Sequence, residues 1–212
     1  MTTFEAIAAG NREKLEQLLR DDPSTASQRN EQGISALMLA LYHRKPELAD
    51  VLVAAGAPID AFELAALGRA DEVCALLDQE PALLSAFSSD GFTMLHYAAF
   101  FGHDELTGKL LARGADPSLV ARNPMKVQPL HSAVAGHHVG SIRALLDAGA
   151  PVNDPQEGGW TPLHAAAHLG DAELIQLMLQ HGADPQARAD DGHTPSDKAR
   201  AAGHDHVLLL LG

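Results

Sequence analysis

Histidine is the residue type in this sequence whose abundance first suggests a chemical function. Twelve histidines occur in 212 residues, and imidazole serves both as a metal ligand and as a general base. Three of them, His96, His131 and His164, lie one each in consecutive copies of a repeated segment. Stacked helix layers are about 10 Å apart, too far for the three rings to share a zinc ion bound at about 2 Å. The spacing therefore argues against a shared metal site.

The adjacent histidines do not form a closed set of ligands either. His137 is followed directly by His138, and one residue separates His204 from His206. Neighbouring side chains on a short helix point in different directions, so neither pair can place two rings on one ion. One alternative stays open, which is a small-molecule or metal site near His137, His138 and His168.

Catalytic motifs are absent, and the one approximate match fails. Residues 102–109 resemble a phosphate-binding loop, but five residues instead of four separate the glycines, and Leu110 stands where Ser or Thr would bind magnesium. No Gly-x-Ser-x-Gly, His-Glu-x-x-His or dinucleotide-binding glycine motif occurs. The single cysteine, Cys74, lies among apolar residues of a predicted helix, which indicates a packing role. The sequence predicts no catalytic residue, no cofactor and no enzyme activity.

Charge and composition argue against two classes of partner. The chain has 15 basic and 28 acidic residues, a net charge of −13, which repels nucleic-acid phosphates and anionic lipids. The first residues contain no basic segment followed by an apolar run, and no stretch approaches the ~20 apolar residues of a membrane span. We expect a soluble cytoplasmic protein that binds neither nucleic acid nor membrane.

The elements that must position these side chains are short helices. Residues 159–185 predict a helix that begins after Thr161 with Pro162 and ends at Gly170, and a second helix from about residue 172 to 180. Threonine caps a helix, proline needs no donor at the first helical position, and glycine readily adopts the left-handed conformation that ends it. Each helix is shorter than the ~12–15 residues at which isolated helices become marginally stable, so stacking on similar units must stabilise them.

Copies of this segment recur along the chain. Thr161 and Thr194 are 33 residues apart, and Gln128 precedes Thr161 by the same interval. A Gly-Ala pair that ends the second helix begins at residues 56, 114, 149 and 182. Three tetrapeptides resemble the Thr-Pro-Leu-His motif of the ankyrin-repeat family: Thr93-Met94-Leu95-His96, Gln128-Pro129-Leu130-His131 and Thr161-Pro162-Leu163-His164.

This resemblance implies an all-α ankyrin-repeat solenoid of about seven stacked helix-turn-helix units. It also implies that the motif histidines tie adjacent turns together through hydrogen bonds. We expect a single domain over residues 1–212, with units at about 1–29, 30–60, 61–87, 88–122, 123–156, 157–190 and 191–212.

Several units depart from the family pattern. Units one and three are similar to each other at a separation of 58 residues. Arg44 in unit two and His137 in unit five replace the glycine between the helices, and Lys126 replaces the turn glycine of unit five, where we expect a distorted turn. The leucines at residues 208–211 indicate the apolar side of a truncated cap, with a homodimer contact as the alternative.

The resemblance also implies where a partner binds, at positions that flank the turn glycine and precede the inter-helix glycine. Five of the nine aromatic residues fall at these positions, which we expect to be exposed. The alternative is that Phe100 and Phe101 pack against the neighbouring helix or under the long turn of unit five. We predict a monomeric, non-enzymatic protein–protein interaction module that holds a protein segment or loop on the concave aromatic face of units four to six. Its predicted partner-binding residues are Tyr42, Phe92, Phe100, Phe101, Met125, Val127, Trp160, His168 and Leu169.

Overall fold

A computed structural model describes residues 1–212 as fourteen α-helices arranged in seven consecutive pairs. The only β-type pairing is an isolated bridge between Arg29 and Ser35. The fold is therefore all-α, as the sequence predicted. The helices are α1 (Thr3–Ala9), α2 (Arg12–Asp21), α3 (Ala36–Tyr42), α4 (Pro46–Ala54), α5 (Ala61–Ala66), α6 (Ala70–Gln79), α7 (Met94–Phe101), α8 (Asp104–Ala112), α9 (Pro129–Gly136), α10 (Val139–Asp147), α11 (Pro162–Leu169), α12 (Ala172–Gln180), α13 (Pro195–Ala201) and α14 (Leu208–Leu211).

In three of the repeats the first helix begins at a side-chain cap in which the motif histidine takes part. In α7, α9 and α11 the histidine Nδ1 accepts the backbone N–H of the residue three positions earlier, at 3.3, 3.2 and 3.2 Å. Each of these donors would otherwise be an unsatisfied amide at a helix N-terminus. Proline occupies the first helical position of α9, α11 and α13, where no backbone donor is needed.

A continuous apolar core runs the length of the stack. One cluster of 45 buried residues extends from Ala6 to Leu211, and each first helix contacts the first helix of the next pair. Paired alanines such as Ala98 and Ala99 are fully buried at these contacts because small side chains let the helices approach closely. The helices are thus stabilised mainly by their neighbours and only weakly by themselves.

Of the distortion expected in unit five, the turn between α9 and α10 shows none, whereas the hairpin before α9 departs from the others: its closing bond joins Ala121 to Val127, six residues apart instead of four. His137 adopts the left-handed conformation with φ 62°, close to the φ of 70° at Gly170, and ends α9 in the same way. Arg44 and Lys126 also have positive φ, at 54° and 51°. Stacking of the flanking units thus imposes the shared turn geometry on residues that disfavour it.

We predict that Arg44→Gly raises the free energy of unfolding by about 0.5–1 kcal/mol. The left-handed conformation costs a residue with a Cβ about 1–2 kcal/mol, and the added freedom of glycine in the unfolded chain offsets part of that gain. Urea unfolding followed by circular dichroism measures the difference. Arg44→Ala is the matched control because it removes the exposed side chain and keeps the Cβ; an equal gain from Arg44→Ala would contradict the explanation.

The C-terminal leucine run divides between the core and the surface. Leu211 is buried against the core, whereas Leu209 is 96% exposed. Self-association through this run stays a prediction, and light scattering on Leu209→Glu beside the unchanged chain tests it.

Five of the seven units carry a hairpin loop before their first helix, and unit three does not. In units two, four, five, six and seven, a backbone bond closes the hairpin: Asn30 to Ile34, Ser88 to Phe92, Ala121 to Val127, Gln156 to Trp160 and Ala189 to His193. In unit three, Asp60 caps α5 directly, with its carboxylate accepting the N–H groups of Phe62 and Glu63. As a result the hairpins of units two and four touch, and the Ser89 hydroxyl donates to the Gly33 carbonyl at 3.2 Å.

Candidate functional site

The hairpins of units two, four and five and their first helices enclose a groove of about 840 Å³. Its apolar wall includes Ile34, Phe92, Phe100, Met125 and Val127. Its polar side chains include Gln32, Asp90, Asn123, Gln156 and Glu157. A predominantly apolar concavity with a few placed polar groups is the usual form of a binding site.

The structure brings together five of the nine predicted partner-binding residues. Tyr42, Phe92, Phe100, Met125 and Val127 all line the groove. The groove spans units two, four and five, and unit six contributes only Glu157. Unit two lies next to unit four because unit three has no hairpin between them. Phe101, Trp160, His168 and Leu169 lie outside it.

The aromatic side chains are less exposed than the sequence suggested. Tyr42, Phe92, Phe100, Phe101 and Trp160 are all half-buried, whereas Met125, at 51%, is a largely exposed apolar side chain of the groove. Phe101 packs against the core, with its ring 5.0 Å from Phe100 and 6.0 Å from Tyr42. The alternative in which Phe100 and Phe101 pack on neighbouring helices therefore describes Phe101 well. Phe100 makes such contacts too but still lines the groove.

Asp90 organises the polar floor of the groove. Its carboxylate accepts the Tyr42 hydroxyl at 2.6 Å, the Tyr97 hydroxyl at 2.5 Å and the Ser88 hydroxyl at 2.5 Å. Its backbone carbonyl accepts the Asn123 side-chain amide at 2.9 Å, which links units four and five. Burial, aided by these contacts, raises the pKa of both tyrosines far above the ordinary value, so the phenols stay protonated donors.

The sequence analysis did not identify Tyr97 as a groove residue. Tyr97 is 2% exposed, yet its hydroxyl and ring line the groove between Asp90 and Phe92. The signal was present in its position, because Tyr97 lies three residues before Phe100 on α7 and therefore shares its helix face.

A second, smaller patch lies one unit further along. The Trp160 ring packs edge-on to His168 at 5.5 Å, and the Lys198 ammonium lies 4.7 Å from its centre. Leu169, 36% exposed, lies next to His168 at the end of α11. The structure thus brings Trp160 and His168 into contact, with Leu169 next to them in the chain, and these residues do not line the groove.

The histidines considered as metal ligands are placed apart. His137 Nδ1 is 3.5 Å from Asp171, the ring of His138 lies against Gly102, and His168 packs on Trp160. No group of three or more His, Cys, Asp and Glu side chains is arranged to hold a metal ion.

The motif histidines have the inter-unit contacts that the resemblance implied, with one exception. His96 Nε2 bonds to the Val127 carbonyl and His164 Nε2 to the His193 carbonyl, each at 3.1 Å. His131 is 3% exposed, and its Nε2 has no such partner. Burial lowers the pKa of His96 and of His131 to about 4, so both rings are neutral at pH 7.

A family model described as ankyrin repeats in three copies matches residues 3–121, 62–156 and 130–212. The chain belongs to the ankyrin-repeat family. Members of this family are typically not enzymes, and the family supports a protein-interaction module as the function. None of the helices combines the length and apolar character needed to cross a membrane.

Curated relatives share parts of this ankyrin-repeat chain. Mouse protein phosphatase 1 regulatory subunit 27 is 34% identical over 111 residues, 52% of this chain and 71% of that protein. Mouse ankyrin repeat and SOCS box protein 16 is 39% identical over 124 residues, 53% of this chain and 26% of the relative. Human 2-5A-dependent ribonuclease is 44% identical over 75 residues, 35% of this chain and only 10% of the enzyme. For the last two relatives the similarity thus covers a minor part of a longer protein.

Proposed function

We propose that this ankyrin-repeat chain is a non-enzymatic binding module that holds a segment or loop of a partner protein in the groove of units two, four and five. One observation carries the proposal: an apolar groove of about 840 Å³ in which Met125 is 51% exposed beside half-buried aromatic rings. Aromatic and methionine side chains in such a setting are typical interface anchors. The relatives include a regulatory subunit of a phosphatase, which also fits a module that acts by binding.

The groove has the layered composition of an interface. Phe92, Phe100 and Val127 form an apolar centre, whereas Gln32, Asn123 and Gln156 supply amide donors and acceptors around it. A bound segment would bury the apolar anchors, and its backbone N–H and C=O groups would form hydrogen bonds with these amides. Contacts of about 800 Å² per partner are typical of stable complexes, so the partner must extend beyond the groove itself. The patch around Trp160 provides such an extension in the direction of unit six.

The charge of the chain favours a basic partner. The net charge of −13 is accompanied at the groove by Asp90 and by Glu157, which also pairs with Lys126 at 3.1 Å. An overall negative field of this kind attracts cationic segments and raises the association rate at low salt. We expect the captured proteins to bind more weakly as the salt concentration rises.

A single substitution at the groove tests the proposal. Met125→Glu places a carboxylate among the apolar anchors, and its desolvation on binding should weaken partner capture by tenfold or more. The exposed position of Met125 means that stability should change little. Quantitative mass spectrometry of proteins retained from a lysate measures the effect.

Val120→Glu is the matched control for this experiment. Val120 is 45% exposed and apolar like Met125, lies five residues earlier in the chain, and does not line the groove. A specific partner should be retained by the unchanged chain and by Val120→Glu but lost from Met125→Glu. If Met125→Glu and Val120→Glu retain the same proteins in equal amounts, the groove is not the binding site.

A further inference from the structure

A separate cavity of about 300 Å³ lies beneath the touching hairpins of units two and four. It exists because unit three has no hairpin to fill the space above α5. Unit two contributes Arg29 and Ser35, unit three contributes Asp60 and Glu63, and unit four contributes Asp90 together with other residues. The side chains of Arg29 and Asp60 are each 44% exposed, so the cavity reaches solvent where they lie.

The charged groups of this cavity do not balance. Three carboxylates line it, those of Asp60, Glu63 and Asp90, against the single guanidinium of Arg29. That guanidinium lies 3.2 Å from the Asp60 carboxylate and 3.9 Å from Glu63 Oε1, which is beyond hydrogen-bond distance. The cavity therefore has an excess of negative charge that Arg29 alone does not neutralise.

Glu63 is the group that points most directly to a ligand. It is 1% exposed, and its Oε2 accepts the backbone N–H of Asp60 at 2.7 Å as part of the α5 cap. Its Oε1 is buried and accepts no hydrogen bond of ordinary geometry; the side-chain donors that act on the Glu63 carboxylate are the Ser35 hydroxyl and the Arg29 guanidinium, which is 3.9 Å from Oε1. A carboxylate oxygen buried without a well-placed donor is costly, and a cationic donor within the cavity would satisfy it. Burial raises the pKa of Glu63, as expected for a carboxyl group in this setting.

The cavity adjoins the proposed binding groove. Ile34, Asp90 and Tyr97 line both of them. A flexible side chain that leaves a segment in the groove can therefore enter the cavity beside Asp90. No group of three or more His, Cys, Asp and Glu side chains is arranged to hold a metal ion, so these carboxylates suit an organic cation better than a bare ion.

We propose that this acidic cavity binds an alkylammonium group, supplied in the complex by a lysine side chain of the partner segment. The inference rests on the proposed function for the source of the ammonium group, but the cavity itself does not depend on it. A lysine fits better than an arginine because an ammonium is compact and carries three donors in different directions. A guanidinium pairs best with both oxygens of one carboxylate, and Oε2 of Glu63 already accepts the Asp60 N–H.

The first test uses small probes on the whole 212-residue chain. Nα-acetyl-lysine methylamide carries the ammonium, and Nα-acetyl-norleucine methylamide has the same four-carbon chain without it. We expect the lysine probe to shift the backbone amide signals of Ser35, Glu63 and Tyr97 saturably in ¹⁵N NMR spectra, and the norleucine probe to leave them unchanged. Equal shifts from both probes, or none from the lysine probe, would overturn the proposal.

Glu63→Gln is the variant that isolates the charge. Glutamine preserves the capping arrangement of α5, because its side-chain oxygen can still accept the Asp60 N–H. Binding of the lysine probe should weaken tenfold or more, while the melting temperature is maintained or rises. Probe binding that is as tight in Glu63→Gln as in the unchanged chain would rule out Glu63 as the ammonium partner.

Met125→Glu distinguishes the two sources of the ammonium group, a lysine residue of a bound protein and a free amine. A lysine residue of a bound protein requires both sites, so capture of that protein should fall in Met125→Glu and in Glu63→Gln alike. If the lysine probe binds at Glu63 while Met125→Glu still captures every protein, the cavity stands as an ammonium site for free amines. In that case the proposed groove function fails independently.

Discussion

Between pH 6.5 and pH 4 the free energy of unfolding should fall by up to about 1.4 kcal/mol per pH unit for each of His96 and His131. Burial holds the pKa of both rings at about 4, against an ordinary value of 6.5. Within this window the unfolded chain binds a proton at each position and the folded chain does not. Acid therefore shifts the equilibrium towards the unfolded state, and the stability is fully present above pH 6.5.

Other groups modify this slope in known directions. Burial also lowers the pKa of His164 and of His138, which adds loss of stability in the same direction. The raised pKa of Glu63 acts in the opposite sense, because the folded state takes up that proton before the unfolded state does as the pH falls. The hydrogen bonds that Asp197 accepts from Thr194 lower its pKa, so its contribution is lost only at more acidic pH.

Urea unfolding at several pH values measures the effect. We expect a steep decline below pH 6.5 in the unchanged chain and a shallower one in His96→Gln, even though that variant starts from a lower stability. His43→Gln is the control, because the His43 side chain is exposed and forms no hydrogen bond that caps a helix or joins two units. An identical pH slope in His96→Gln and the unchanged chain would show that this ring does not bind a proton on unfolding.

Gly91→Ala should destabilise the protein by about 3 kcal/mol or more. Gly91 has φ 86°, a conformation that costs a residue with a Cβ about 1–2 kcal/mol. An added Cβ would also lie 2.6 Å from the backbone carbonyl oxygen of Arg122 and 2.7 Å from its carbon, and backbone atoms cannot move aside cheaply. The Arg122 N–H donates to the Gly91 carbonyl at 2.8 Å, so the clash would break the link between the hairpins of units four and five.

Gly114→Ala separates the backbone strain of a positive φ from the steric clash of an added Cβ. Gly114 has nearly the same φ, 88°, but an added Cβ there has no neighbour within 4 Å. Its cost should be only about 1 kcal/mol, since reduced freedom of the unfolded chain offsets part of the strain. Thermal and urea unfolding of both variants give the comparison, and equal losses would mean that the hairpin contact is unimportant. Gly91→Ala should also weaken partner capture because the hairpin of Met125 is displaced.

The helices and their ends could largely be predicted from the sequence. The second helix of unit six was predicted at about residues 172–180, and α12 spans Ala172–Gln180. Caps, first-turn prolines and terminal glycines act within a few residues of chain, so their effect does not depend on distant parts of the molecule. The turn at His137 was wrongly expected to be distorted, because the local preference of histidine was given more weight than the packing of α9 and α10.

The residues of the groove could be predicted only in part from the sequence. Tyr42, Phe92, Phe100, Met125 and Val127 were selected from their repeat positions and do line one groove. Trp160, His168 and Leu169 were selected by the same rule and lie elsewhere, since equivalence within a repeat does not tell how neighbouring units approach. Half-burial of the rings was missed because it depends on contacts between residues such as Tyr42 and Phe101, 59 positions apart.

By itself, the sequence determined the repeating helix pairs, the family and the absence of catalytic motifs, because these follow from patterns within one 33-residue unit. The tertiary structure alone decided that the hairpins of units two and four meet across unit three. Cap residues specify each helix, but only stacking sets the distance between hairpins that are distant in sequence. That contact shapes both the apolar groove and the acidic cavity in which Glu63 is buried.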